Sequence, residues 1–127
     1  MLVAGKVRGI IKCGECFKPR CIYSNAKQTR QEETEIVTVK ESNVYTCGSS
    51  FPCESGGIAV REALVCTSPI ESQYYSAVLV HFPPVCYHCG LGEESLVDNE
   101  ELKHMYAVVH PICFVCLSDG KKENLLT

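Results

Sequence analysis

The sequence predicts a small α+β fold in two lobes, built from short antiparallel strands and one or two short helices. Three observations predict it. The chain has 127 residues, no Trp and only four Phe, so two lobes cut from it would have thin cores and each would need a staple. Ten residues are Cys, far above ordinary usage. Cys-x-x-Cys recurs three times, at Cys13/Cys16, Cys86/Cys89 and Cys113/Cys116, and is the only internal repetition.

The elements follow in chain order. "VRGIIKCGECFKPRCIY" (7–23) reads as two β segments around a Cys-Gly-Glu-Cys turn. Residues 25–43 read as a helix that Thr29 and Glu32 start with a capping box. The β-branched "EIVTVK" weakens that helix toward its end. "NVYTCGSSFPCESGG" is turn-rich, while "IAVREALVC" and "QYYSAVLVHF" read as strands. Pro83-Pro84 then mark a boundary between a first lobe over 1–72 and a second over 80–127. In the second lobe "EESLVDNEELKHMYAVVH" holds an acidic helical turn and a short strand at Tyr106–Val109. "CFVCLSDGKKENLLT" starts a short helix and ends in a polar tail.

The cysteine spacing carries the chemistry. The last two pairs form Cys-x2-Cys-x23-Cys-x2-Cys. A Cys-x-x-Cys turn puts two thiolates on one side of a tight loop, and two such jaws close a tetrahedron around zinc. A redox pair needs one such turn at a helix start in a βαβ setting, which the chain lacks. A disulfide framework needs an oxidising compartment. The opening "MLVAGKVRG" lacks a signal-peptide core and no segment reaches the ~18 apolar residues of a membrane span, so an intracellular location, nucleus or cytoplasm, is expected. Cys86, Cys89, Cys113 and Cys116 are therefore read as one zinc set. Cys13 and Cys16 make a jaw of a second set, completed by Cys47 and Cys66, with Cys53 the alternative to Cys66. That makes two Zn2+ per chain, with Cys21 and Cys53 left as small buried or loop thiols. His88 sits inside its own knuckle and His110 precedes a complete set, so neither is read as a ligand.

"KCGECFKPRCIY" resembles the first knuckle of zinc ribbons, and "PVCYHCG" with "HPICFVCLSDGK" resembles a zinc ribbon or treble clef. The resemblance implies a zinc-stabilised α+β fold of two ribbon-like or treble-clef-like lobes, and it specifies a metal site more than a function. A RING-type cross-brace is similar in its His followed by Cys-x-x-Cys. It would need a cysteine one to three residues before His110, and Tyr106–Val109 supply none. The phrases "KPRCIYS", "YTCG" and "PVCYHCG" also resemble cysteine-rich segments of animal proteins derived from mobile elements.

A four-thiolate site has no open position for water or substrate, and no phosphate loop, dinucleotide fingerprint or deaminase signature occurs, so no enzyme and no small-molecule substrate is expected. Binding is the expected role. Residues 1–30 hold seven basic side chains against Glu15 alone, whereas the rest of the chain holds five basic and fourteen acidic ones. Lys12, Lys18, Arg20, Lys27 and Arg30 are accordingly read as a phosphate-facing edge for nucleic acid. Tyr23, Tyr74 and Tyr75 are candidates for base stacking. The competing reading is a protein partner docked on the acidic second lobe, a RING-like ubiquitin ligase included.

Overall fold

The computed structural model describes residues 2–52 and 57–126. Cys53, the alternative fourth ligand, lies outside the described residues. The chain divides into two compact units, Met1–His81 and Phe82–Thr127. Residues 73–79, which the sequence reading gave to neither lobe, lie in the first unit.

The first unit opens with a 3-10 turn at Ala4–Lys6 and the strands β1 (Val7–Lys12) and β2 (Pro19–Tyr23). They pair antiparallel with Ile10 opposite Cys21, Ile11 opposite Arg20 and Lys12 opposite Pro19, and a bulge falls between Val7 and Gly9. The far edge of β2 exchanges both backbone hydrogen bonds with Ala59, at 2.8 and 2.9 Å.

Helix α1 (Arg30–Ser42) starts as its sequence dictates. The Thr29 hydroxyl accepts from the Glu32 N–H at 3.1 Å, and the Glu32 carboxylate accepts from the Thr29 N–H at 2.9 Å. Two of the orphan donors of the first turn are thereby satisfied. The helix stops where Asn43 turns left-handed at φ 60°. Its β-branched residues do not break it because Ile36 and Val39, one turn apart, bury against Ile11, Ile22, Tyr45, Phe51, Ile58 and Val60. The Tyr45 hydroxyl is buried with no hydrogen-bond partner among the described residues, a cost of about 1–3 kcal/mol.

Two strand expectations fail. "IAVREALVC" contributes only the bridge at Ala59, because the chain must turn back at residues 62–67 to bring Cys66 to the first knuckle. "QYYSAVLVHF" begins as a short helix, α2 (Ser72–Ser76), which buries Tyr74 and leaves Val78 and Leu79 exposed. No described helix is long and apolar enough to cross a membrane.

The second unit has a 3-10 turn at Glu93–Ser95, then α3 (Glu100–Met105), β3 (Val108–His110), α4 (Phe114–Ser118) and β4 (Asn124–Leu126). The Asn99 side chain caps α3 by accepting from the Leu102 N–H at 3.2 Å. The expected polar tail is instead β4, paired antiparallel with β3 so that His110 faces Asn124. What redirects the chain is a Schellman motif at the end of α4. Gly120 takes φ 88° and donates to the Leu117 carbonyl, and Lys121 donates to that of Cys116. The core of this unit is Ile112 with Cys86, Cys113 and Cys116, packed by Cys89, Leu96 and Val97, so four of its seven residues are cysteines.

Candidate metal centres

Each unit gathers four cysteine sulfurs. Cys13, Cys16, Cys47 and Cys66 form one group, and Cys86, Cys89, Cys113 and Cys116 the other, with all sulfurs in a group within 4.8 Å of one another.

The first knuckle is the turn of the β1–β2 hairpin. Cys13 donates its N–H to the Lys18 carbonyl, and Phe17 donates to the Cys13 carbonyl at 2.9 Å. Closing so tight a loop puts Phe17 at φ 62°, a left-handed conformation that costs a bulky residue about 1–2 kcal/mol. The second knuckle makes the same turn with glycine: Gly90, at φ 80°, donates to the Cys86 carbonyl at 2.8 Å. Gly14 brings the third ligand in. Its N–H bonds the Tyr45 carbonyl at 2.8 Å, and a Cβ there would stand 2.8 Å from the Asn43 carbonyl oxygen. Only glycine lets the knuckle lie this close to the segment that leads into Cys47.

The donor set fits zinc. Four ligands at about 2.3 Å in a tetrahedron place sulfurs about 3.8 Å apart. The sulfurs of Cys13 and Cys66 are 3.7 Å apart, those of Cys16 and Cys47 3.7 Å, and those of Cys89 and Cys113 3.5 Å. Four thiols in mutual contact cannot all ionise without a cation among them. The knuckle is built for the charged form nonetheless. Burial raises the Cys13 thiol, but N–H groups of Cys16, Glu15 and Cys47 outweigh it and lower it to about 6. Burial likewise opposes backbone donors around Cys86, whose thiol falls to about 7. Cys66 is pushed up to about 12, by desolvation first and by hydrogen bonding to Cys13 and Cys16 next.

Cys13 and Cys86 lie below the ordinary thiol value of 9.0, so the stability their thiolates contribute is present above that value and is lost as pH falls through about 7 and about 6. Protons then compete with the metal. Stepping zinc-loaded protein from pH 7.5 to about pH 4.5 is expected to release both ions and melt both units, read by a chromogenic chelator and by circular dichroism.

Zinc with four thiolates carries a formal charge of −2, which a buried site must offset. Two buried cations, Lys18 and Arg20, stand by the first sulfur group and would do so. Arg20 is fully buried, with Nε 3.3 Å from the Cys47 sulfur and its two Nη atoms on the carbonyls of Pro69, Val65 and Ser68. Lys18 is also buried, its Nζ 2.6 Å from the Cys66 carbonyl and 3.0 Å from that of Ser68. Both side chains are committed to the turn that carries Cys66. Both were expected to face phosphates, but Arg20 lies on β2, which is buried along its whole length, and Lys18, just before that strand, is buried as well. Of the five cations expected to contact nucleic acid, Lys12, Lys27 and Arg30 are exposed. Of the tyrosines expected to stack on bases, Tyr23 and Tyr74 are buried and Tyr75 is half-buried.

Cys21 stands outside the group. It is fully buried, and its thiol is pushed up to about 12 by desolvation and by the nearby Glu71 carboxylate. Sequence reasoning missed Glu71. This buried carboxylate accepts from the Cys21 N–H and the Tyr23 hydroxyl and lies 3.6 Å from Arg61 Nε. Nothing in its local sequence, between Ile70 and Ser72, distinguishes it from a surface glutamate. The histidines have other partners: His88 Nε2 lies 2.7 Å from the Lys122 carbonyl oxygen, and His110 stacks on Tyr87 while its Nδ1 lies 2.7 Å from Asn124 Nδ2.

Compared with known proteins, the chain matches no family model, no curated protein and no solved structure.

Proposed function

We propose that the protein is a zinc-stabilised binding module whose two metals are structural, with zinc-ribbon-like knuckles, and that its ligand is a protein. One observation carries the metal reading: in each unit four sulfurs lie within 4.8 Å of one another, with the Cys13–Cys66, Cys16–Cys47 and Cys89–Cys113 pairs at 3.7, 3.7 and 3.5 Å, close to the spacing of a tetrahedral thiolate site. Four thiolates leave no coordination position for a substrate, so the metals would hold the units together rather than react. Zinc suits an all-sulfur tetrahedral set with no redox demand.

The inward turn of Lys18 and Arg20 supports a protein partner over nucleic acid. A phosphate-binding edge needs cations free to reach the backbone, and those two are spent on thiolate and carbonyl groups. The net charge of −3 becomes more negative with two thiolate-bound zinc ions, which opposes a polyanion at long range.

Native mass spectrometry of the full chain, with and without chelator, tests the metal reading. The expected result is two zinc ions per chain and no disulfides. Recovery of one ion or none, with sulfurs oxidised in pairs, would overturn it. Retention on a DNA or RNA column that falls steeply with salt would restore the nucleic-acid reading through Lys12, Lys27 and Arg30.

A further inference from the structure

The two-stranded sheet of the first unit has one free edge, and the pairing shows which backbone groups it leaves unmet. Cys13 donates to Lys18 across the hairpin, so the hydrogen-bonded pairs run from there through Ile11 with Arg20 and Gly9 with Ile22. The intervening pairs, Lys12 with Pro19 and Ile10 with Cys21, turn their backbone groups outward. Pro19 has no N–H to give, and the outward N–H of Cys21 goes to the Glu71 carboxylate. On β2 the outer edge is thus occupied, by Glu71 and by Ala59. On β1 the outward N–H and C=O groups of Ile10 and Lys12 meet no partner among the described residues.

Beside this edge lie two clefts between β1 and α1. One, of about 310 Å3, has buried Ile11, Val39 and Tyr45 beneath Ile10, Lys12 and Lys40. The other, of about 240 Å3, lies by Arg8, Gly9, Ile36 and Val37 and shares Lys40 with the first. The space beside Gly9 is open, since a Cβ at that position would meet nothing within 4 Å. Lys12 and Lys40 are exposed, Arg8 lies at the second cleft, and Glu33 is the one carboxylate lining either.

We propose that the free edge of β1 takes up an extended acidic segment of a protein partner as a third strand. Main-chain hydrogen bonds to Ile10 and Lys12 would give affinity, and every second side chain would drop into the clefts beside α1. Residues 8–12 offer five strand positions, about 17 Å, so a segment of five or six residues fills the edge. Apolar side chains fit the cleft floors, the acidic residues between them point to the other face of the sheet, where Lys12 stands, and Lys40 adds positive charge beside both clefts. The proposal rests on the protein-partner reading and names the surface and the chemistry of that partner. An edge lysine such as Lys12 also serves to repel unwanted strand pairing, and the test separates the two roles.

The probe is acetyl-Val-Glu-Val-Asp-Val-Glu-amide, titrated into the zinc-loaded full chain and followed by amide NMR and hydrogen exchange. Shifts and slowed exchange are expected at the Ile10 and Lys12 amides, with the largest side-chain methyl shifts at Ile11 and Val39. A copy N-methylated on alternate residues should bind at least tenfold more weakly, because it cannot complete the ladder. A Lys-for-acid copy should do the same, because its charge is wrong. Lys12→Glu/Lys40→Glu, both exposed and free of the core, should lose at least tenfold in affinity with zinc content unchanged. No binding at millimolar peptide, equal binding of the N-methylated copy, or shifts confined to residues 82–127 would each overturn the proposal. If two zinc ions are retained in those cases, the structural-metal reading survives; loss of zinc from the unmutated chain would instead sink that reading.

Discussion

Replacing Cys113 by Ser is expected to unfold residues 82–127 and to leave one zinc ion per chain. The expectation follows from what this unit is made of. Its core consists of Cys86, Ile112, Cys113 and Cys116 with Cys89, Leu96 and Val97 packed against it. Beyond the cysteines, three aliphatic side chains supply the burial. At about 1.5–3 kcal/mol each they cannot offset the ordering of more than forty residues. Structural zinc would supply roughly 10–16 kcal/mol of apparent binding free energy, so a metal held by the four cysteines would serve as the core. Cys113 is fully buried, its sulfur is 3.5 Å from that of Cys89, and it stands at the N-cap of α4. Its loss would also remove the anchor of the helix that precedes β4. Native mass spectrometry should show one zinc, and amide NMR should show collapse of signals from 82–127 with those from the first unit retained. Cys21→Ser is the control. Cys21 is as buried as Cys113, but it belongs to neither sulfur group. It should cost only about 1–3 kcal/mol, the penalty of a poorly partnered hydroxyl, with both metals kept. Equal unfolding by the two variants would mean that burial, not ligation, makes Cys113 matter.

The parts of this molecule that were legible in the sequence are those fixed by local chemistry. Cys-x-x-Cys defines its own turn, so the knuckles at Cys13–Cys16 and Cys86–Cys89 could be read directly, and Thr29 with Glu32 announced the start of α1. Cys47 and Cys66 were reachable because each follows an apolar lead-in, and the structure brings both to Cys13 and Cys16. What was not legible depends on partners distant in sequence. Lys18 and Arg20 look like surface cations in "CFKPRC". They are buried because Cys66 returns over them and presents the carbonyls of residues 65–69. That return also removes the strand expected at "IAVREALVC". β4 was read as part of a polar tail. Its pairing is set by the turn at Gly120, whose Asp-Gly signal was present but was not weighed as a reversal.

Arg20 is the substitution expected to harm the first unit most outside the cysteines. Arg20→Met should weaken zinc retention at the first site by about 10- to 100-fold and cost about 3–5 kcal/mol of stability. Methionine fills much of the same volume, so the loss would not come from a cavity. It would come from the groups left behind. The Cys47 sulfur would lose a donor at 3.3 Å, and the carbonyls of Pro69, Val65 and Ser68 would lose theirs at 2.6, 3.1 and 3.0 Å. Three of these acceptors hold the turn on which Cys66 rides, so the fourth ligand would be loosened at the same time as the site lost a compensating charge. Arg20→Lys should rescue little. A single ammonium cannot reach a thiolate and three carbonyls that the planar guanidinium spans at once. If charge alone mattered, Arg20→Lys would behave as wild type. Lys18→Met, which removes the other buried cation, should weaken the same site by a smaller factor because only the carbonyls of Cys66 and Ser68 lose a donor. Competition with a chromogenic chelator measures all three variants. Release of one ion at lower chelator concentration, with the second unit's ion unmoved, is the expected pattern. Unchanged release in Arg20→Met would show that the thiolate cluster needs no buried cation beside it, and would leave Arg20 only the role of pinning the turn at residues 65–69.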